Sequence, residues 1–185
     1  GALAVKDGDR VIRPLNALAS FFAGKGGKVI ATQDWHPPRH ISFASAHPKG
    51  AASAEDVLWP DHCVQASAGA ELHALLDQGP VHFIVRKGFR PDLDSYSAFF
   101  ENDRRTETGL HGLLKGMGID TVYIGGLAVD YCVLYSVLDA LRLGYKTILI
   151  ADAVKGVGVP EGSIEQALEM MRQAGALFMD SGDIL

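Results

Sequence analysis

Residues 121–141, TVYIGGLAVDYCVLYSVLDAL, decide the fold of this chain. The stretch opens with the apolar run 121–124, turns at the glycine pair 125–126, and continues with apolar residues at helical spacing from Val133. A buried strand that leads through a glycine turn into an amphipathic helix is typical of a β-α-β unit.

The rest of the chain repeats this alternation. Short runs rich in β-branched or other apolar residues predict further strands at 28–32, 81–85, 147–150 and 177–179. Helical spacing predicts helices over 11–22, 110–117, 133–141 and 164–171. Strands that alternate with helices indicate right-handed crossovers and a mostly parallel sheet. The predicted fold class is α/β, and we expect a single domain over residues 1–185.

Composition narrows the classes of function. The 185 residues are 48% apolar and 21% charged, which is typical of a globular domain and excludes disorder as the main state. A net charge of −5 argues against a nucleic-acid partner. The most apolar stretch, between Asp120 and Asp130, is far shorter than the ~20 residues of a membrane helix, so we expect no membrane partner. Two cysteines, Cys63 and Cys132, favour the cytoplasm, with a bridge between them left open.

A candidate metal site follows the first predicted strand. Asp34 and His36 are two residues apart in an extended segment, so their side chains face the same side. His62, in the stretch 59–63 (WPDHC), adds a third ligand, and two imidazoles with one carboxylate suit Zn, Fe or Mn. His40 is either a fourth ligand or a residue that supports this set through hydrogen bonds, and we favour the second role. The alternative is a polar loop in which Asp34 caps a turn.

A candidate nucleophile lies in the stretch that decides the fold. Cys132 stands at the start of a helix, where the positive end of the helix dipole is predicted to lower the pKa of the thiol. The preceding glycines allow a sharp turn whose N–H groups can form an oxyanion hole. Lys87 ends a predicted strand and points into the same crevice, whereas Arg86 faces away. The alternatives are an inert buried cysteine and a solvated lysine.

Four stretches in this order resemble the nicotinamidase (pyrazinamidase) family of isochorismatase-like cysteine hydrolases. They are TQDWHPPRHISFAS (32–45), LWPDHCVQ (58–65), RKG (86–88) with DSYSAFF (94–100), and GGLAVDYCV (125–133). The match spans nearly the whole chain. Four spaced motifs together are far more specific than any one of them.

The resemblance implies a three-layer α/β fold with a parallel six-stranded sheet flanked by helices. It implies hydrolysis of nicotinamide to nicotinate and ammonia through a cysteine thioester, with one divalent metal ion (Zn, Fe or Mn). It also implies a central first strand, ending in a catalytic aspartate in a motif like DVQNDF, which would precede Gly1. We therefore expect a longer native polypeptide. The fold leaves a homo-oligomer open.

The resemblance also implies roles for individual residues. Cys132 would be the nucleophile and Lys87 its assistant. The N–H groups of Ala128 and Cys132 would form the oxyanion hole, with a cis peptide bond between Leu127 and Ala128. The metal ligands would be Asp34, His36 and His62. The residues of the ring pocket would be Trp59, Tyr131, Leu127, Leu3 and Tyr96.

Two alternatives stay open from the sequence. The first is another isochorismatase-like amide hydrolase, such as an N-carbamoyl amide hydrolase, which would share the cysteine and the lysine but lack the metal set. The second is a catalytically inactive metal- or ligand-binding module. A zinc peptidase is disfavoured because the sequence has no HExxH motif.

Overall fold

The computed structural model describes residues 2–47 and 58–185. The strands are β1 (Ile30–Asp34), β2 (Phe83–Lys87), β3 (Thr121–Leu127), β4 (Lys146–Lys155) and β5 (Leu177–Met179). The helices are α1 (Ile12–Gly24), α2 (Leu110–Gly116), α3 (Leu134–Arg142) and α4 (Ser163–Gln173). Within the described ranges, no helix combines the length and apolarity needed to cross a membrane.

All strand pairs are parallel, which confirms the predicted α/β class. β1 pairs with β2, and β3, β4 and β5 form a second group in that order. In the described part of the chain β1 and β3 each pair on one side only, so the two groups share no strand pairing. Of the six-stranded sheet that the resemblance implied, residues 2–47 and 58–185 form five strands, which belong to two parallel sheets.

Helices cover both faces of the larger sheet because β4 is apolar on both faces. Ile148 and Ile150 pack with Leu18 of α1 on one face. Leu149 packs with α3 and α4 on the other, beside Val137 and Met171. A continuous buried apolar run of this kind is typical of a parallel strand between two helical layers.

A third apolar cluster connects the two sheets. Its centre is the aromatic pair Phe99 and Phe100 with Leu110 and Leu114 of α2. Side chains from both sheets pack on it, and they are Ile30, Val85, Val122 and Ile124. This shared core holds β1, β2 and β3 so that their carboxyl ends can face one cavity.

The predicted helices and β5 are close to the observed ones, whereas β3 and β4 run further than predicted, to Leu127 and Lys155, and β1 and β2 are displaced. The strands predicted at 28–32 and 81–85 lie two residues further along the chain, at Ile30–Asp34 and Phe83–Lys87. The reason is the pairing register, in which Asp34 stands opposite Lys87 and both belong to the ladder. The last residues of β1 and β2 are polar, so a search for apolar runs did not include them in the predicted strands.

We expect Leu149→Ala to lower the free energy of unfolding by about 2 to 5 kcal/mol, because the side chain is fully buried and its loss leaves a cavity. Leu177→Ala is the matched control, since Leu177 of β5 is 49% exposed and its truncation should cost less than about 1 kcal/mol. Urea unfolding of both variants measures the difference. Equal losses would contradict the placement of Leu149 in the core.

Candidate active site

The carboxyl ends of β1 and β3 open onto a cavity of about 520 Å³. Its walls come from the N-terminal segment 2–5, the connections that follow β1 and β2, the turn after β3, and Val157. The two longest connections between the elements predicted from the sequence, 33–66 and 88–108, both contribute to these walls.

A buried lysine holds three groups together beside this cavity. The Nζ of Lys87 lies 2.6 Å from Oδ1 of Asp34, donates to the carbonyl of Ser95 at 2.7 Å, and donates to Sγ of Cys132 at 3.6 Å. The lysine side chain is only 4% exposed. Arg86 faces the opposite way and lies 3.7 Å above the ring of Trp35, as strand alternation predicted.

The electrostatics make this contact an ion pair. Burial by itself lowers the pKa of Lys87, but the attraction and the hydrogen bond of the Asp34 carboxylate outweigh it, so the pKa is raised. Burial raises the pKa of Asp34, and the attraction and hydrogen bond of Lys87 outweigh it, so that pKa is lowered. At neutral pH Lys87 is therefore an ammonium and Asp34 a carboxylate.

Cys132 lies in a π-helical turn, Val129–Val133, between β3 and α3. The peptide bond between Leu127 and Ala128 is cis, as the resemblance implied. The predicted lowering of the thiol pKa is wrong. Burial raises the pKa of Cys132 and outweighs both Lys87 and the N–H group of Ala128, which favour the thiolate. The resting thiol is therefore protonated at neutral pH, and a nucleophilic role for Cys132 would require a base that takes this proton.

The predicted metal ligands come together. Asp34, His36 and His62 each have one potential ligand atom that lies within 4.8 Å of those of the other two residues. Nδ1 of His36 donates to the carbonyl of Gly88 at 2.8 Å, and Nδ1 of His62 donates to the carbonyl of Pro60 at 2.8 Å.

These bonds leave the three side chains ready to bind a metal. A carbonyl only accepts, so each Nδ1 of the two histidines carries its ring's hydrogen and each Nε2 keeps a free lone pair. Asp34 uses Oδ1 for Lys87 and retains Oδ2. The donor set therefore fits one divalent ion.

His40 lies behind His36, with its ring centroid 4.3 Å from that of His36. The residue is fully buried, and its Nδ1 lies 2.8 Å from the hydroxyl of Ser42. Its Nε2 lies 3.3 Å from the carbonyl of Leu93. A second group of potential ligand atoms joins His36, His40 and Asp94, but a metal there would have to displace one of these contacts. The contacts favour support of His36 over direct ligation.

The ring of His36 packs closely against the backbone of Gly88, which directly follows β2. A Cβ at position 88 would come within 2.5 Å of Cε1 of His36, and Gly88 has a φ of +62°, so this position requires glycine. Burial is the main reason why the pKa of His36 is lowered to about 4, although Asp34 opposes the shift. The imidazole is therefore neutral at physiological pH, which is the form that binds metal.

Three aromatic side chains form one wall of the cavity. The indole N–H of Trp59 donates to the hydroxyl of Tyr96 at 3.1 Å. The ring of Tyr131 lies 5.0 Å from that of Trp59 at 85° and 5.5 Å from that of Tyr96. Leu3 and Leu127 also line the cavity. All five predicted ring-pocket residues therefore face the same space.

Several residues at the site were missed by sequence reasoning. The backbone carbonyl of Ser95 holds Lys87, and no side-chain pattern reveals the role of a carbonyl. Val157 follows β4 and carries no local signal in the sequence, and His73, which belongs to none of the predicted motifs, also lines the cavity. Cys63 lines it as a second free thiol, and burial raises its pKa to about 11.

Comparison with known proteins places this geometry in a family. The sequence profile of the isochorismatase domain matches residues 1–183. This chain belongs to the isochorismatase family. The predicted resemblance to its nicotinamidase members is confirmed, because the nicotinamidase of Escherichia coli K12 is 45% identical over 185 residues, covering 96% of this chain and 87% of that enzyme.

Solved structures of family members agree with this assignment. A nicotinamidase and pyrazinamidase from Acinetobacter baumannii has a TM-score of 0.93 and 47% identity, over 100% of this chain and 90% of its own. A pyrazinamidase from Pyrococcus horikoshii in complex with zinc has a TM-score of 0.81 and 38% identity, over 97% and 90% respectively.

The neutral state of His36 gives a testable pH dependence. In metal-free protein, His36 takes up a proton only near pH 4, whereas the unfolded chain does so near 6.5. The unfolded state therefore binds more protons between these values, and the free energy of unfolding falls as the pH falls through this window. NMR titration of the ring protons and urea unfolding at several pH values measure both effects. His36→Asn should lose this part of the pH dependence, and a pKa above 6 for His36 would contradict the assignment.

Proposed function

We propose that this isochorismatase-family chain is an amidohydrolase that converts nicotinamide to nicotinate and ammonia at the cavity described above. The observation that carries the proposal is the contact of Lys87 with both Cys132 and Asp34. Through this contact Lys87 holds the thiol of Cys132 close to Asp34 of the proposed metal-ligand set. One bound substrate could therefore reach both the thiol and the metal ion. The nicotinamidase and pyrazinamidase relatives support the choice of a pyridine-type carboxamide.

The aromatic wall suits a flat heteroaromatic ring. Trp59, Tyr96 and Tyr131 present ring faces and edges to the cavity, and such surfaces bind a planar ring through stacking and edge contacts. Leu3 and Leu127 supply apolar contact from the other elements of the wall. A ring held there can present its carboxamide carbon to Sγ of Cys132.

The proposed reaction proceeds through a thioester. The thiol of Cys132 loses its proton and the sulfur forms a bond to the carboxamide carbon, while the N–H groups of Ala128 and Cys132 hold the oxyanion. The C–N bond then breaks and ammonia leaves with the proton. Water cleaves the thioester, which releases nicotinate and restores the thiol.

Lys87 stabilises the negative charge that forms on the sulfur of Cys132 during this reaction. Its ammonium lies within hydrogen-bond reach of Sγ and favours the thiolate form of Cys132. This attraction opposes burial, which favours the neutral thiol. The base that takes the proton is, by the resemblance, an aspartate that matches no position among residues 1–185. We therefore assign to this chain the nucleophile, the cation and the oxyanion donors.

Asp34, His36 and His62 would hold one divalent ion, and Zn, Fe and Mn all suit this donor set. When bound, such an ion would supply a Lewis acid that attracts a ring nitrogen or a water molecule. The zinc complex of the Pyrococcus horikoshii pyrazinamidase supports zinc as one such ion. Hydrogen bonds from His36 and His62 to backbone carbonyls keep the two imidazoles oriented for this task.

We also propose that the enzyme acts in the cytoplasm. Cys132 must remain a free thiol to attack the substrate, and a reducing compartment preserves free thiols. Both cysteines of this chain are unbridged. The bridge between Cys63 and Cys132 that the sequence left open is absent from the structure.

The proposal is tested by ammonia release from nicotinamide, using protein expressed from its complete reading frame. Cys132→Ser should lower kcat by at least about a thousandfold, because the weaker hydroxyl nucleophile replaces the thiol. Cys63→Ser is the matched control: it removes the other thiol of the cavity and should keep kcat within about threefold. Full activity of Cys132→Ser would refute the mechanism, and bound metal without turnover in the wild type would favour the binding-module alternative.

Metal content separates the ligands from the nucleophile. We expect His62→Ala to lower the bound metal well below one ion per chain, because one of three protein ligands is lost, and the affinity should fall by more than the roughly 10- to 100-fold that the loss of an outer-shell partner costs. Cys132→Ala should bind metal as the wild type does. Elemental analysis of both purified variants measures this, and unchanged metal content in His62→Ala would remove His62 from the ligand set.

A further inference from the structure

A buried carboxylate beside the nucleophile has no part in the reaction described so far. Asp130 is two residues from Cys132 and only 6% exposed. Its Oδ1 accepts the N–H of Val157 at 3.0 Å, and its Oδ2 accepts the N–H of Gly158 at 2.8 Å. Oδ2 also accepts the hydroxyl of Ser163 at 2.7 Å. One side chain thus anchors the segment 156–163 at three points.

The anchored segment contributes to the cavity in two ways. Val157 lines the cavity directly. The carbonyl of Val159 accepts the hydroxyl hydrogen of Tyr131, so the segment also fixes one ring of the aromatic wall. Asp130 and Tyr131 are neighbours in the π-helical turn, and the side chains of both form hydrogen bonds to the segment 156–163.

The fit between the carboxylate and the segment is close. A Cβ at position 156 would lie 3.0 Å from Oδ1 of Asp130 and 2.5 Å from Cγ1 of Ile164. Gly156 therefore allows the backbone to approach the carboxylate closely enough for the next two N–H groups to donate to it. A side chain at position 156 would push the segment away from Asp130.

We infer that Asp130 is a specificity-determining positioning residue, which sets the width of the ring pocket by holding Val157 and Tyr131 in place. The inference rests on the proposed hydrolysis of a pyridine carboxamide. Asp130 does not touch the reacting atoms. It acts through the segment 156–159, so its loss should alter the binding of the ring more than the chemistry at Cys132.

Asp130→Asn tests this inference with little change in shape. An amide offers one oxygen where the carboxylate offers two, and its NH₂ group would face a backbone N–H, so the segment loses part of its anchor. For nicotinamide we expect KM to rise about tenfold while kcat changes less than about threefold. The ratio of kcat/KM for the bulkier 5-methylnicotinamide to that for nicotinamide should rise at least about fivefold, because the pocket widens.

Asp152→Asn is the matched control. The carboxylate of Asp152 also anchors a backbone segment, since it accepts both the N–H and the hydroxyl of Ser181, and it is not among the residues that line the cavity. Its loss should lower stability without changing KM or the ratio between the two amides. A general effect of removing a carboxylate anchor is thereby separated from an effect on the pocket.

Two results would overturn the inference. One is a fall in kcat for Asp130→Asn with KM and the selectivity ratio unchanged, and the other is wild-type behaviour in all three quantities. Should Asp130→Asn fail to fold, Ser163→Ala and Tyr131→Phe each remove one donor of the network, and each should raise KM about threefold and shift the ratio in the same direction.

Failure of the proposed function is visible in the wild type, before any variant is compared. If the wild type releases no ammonia from nicotinamide, the dissociation constant of nicotinate replaces KM, measured by calorimetry. An unchanged dissociation constant in Asp130→Asn would then overturn the inference. Absence of nicotinate binding by the wild type would overturn both proposals together.

Discussion

The site depends on the burial of one ammonium group. Lys87 is almost without contact with water, and a buried charge is stable only when acceptors surround it. Its three acceptors are the carboxylate of Asp34, the carbonyl of Ser95 and the sulfur of Cys132. They belong to β1, to the connection after β2 and to the turn after β3. Satisfying one cation therefore requires these three regions to meet at one point.

The apolar core makes that meeting possible. The two parallel sheets share no strand pairing in the described residues, yet β1, β2 and β3 pack on a common cluster around Phe99 and Leu114. The same strand ends carry the metal-ligand set, because Asp34 offers one oxygen to Lys87 and keeps the other. Packing and electrostatics thus impose the same arrangement, which brings the proposed nucleophile Cys132 close to the proposed metal ligands.

Much of the fold could be predicted because it follows from local patterns. Apolar periodicity located the four α-helices and five strands that the structure describes, and alternation along β2 correctly separated Lys87 from Arg86. The ends of β1 and β2 were missed by two residues, because their last residues are polar and the pattern searched for was apolar. The pKa of Cys132 was predicted in the wrong direction, since a helix start is visible in a sequence and the depth of burial is not.

By itself, the sequence determined the α/β class, the residue types of the candidate metal-ligand set, and the cysteine and lysine that come together. These follow from side-chain chemistry and short-range spacing, which a single chain displays directly. Only the tertiary structure decided that the carbonyl of Ser95 holds Lys87, that Gly88 lies against His36, and that Asp130 anchors the segment containing Val157. Such contacts join positions far apart in the chain, often through backbone groups that every residue carries, so no pattern of side chains can reveal them.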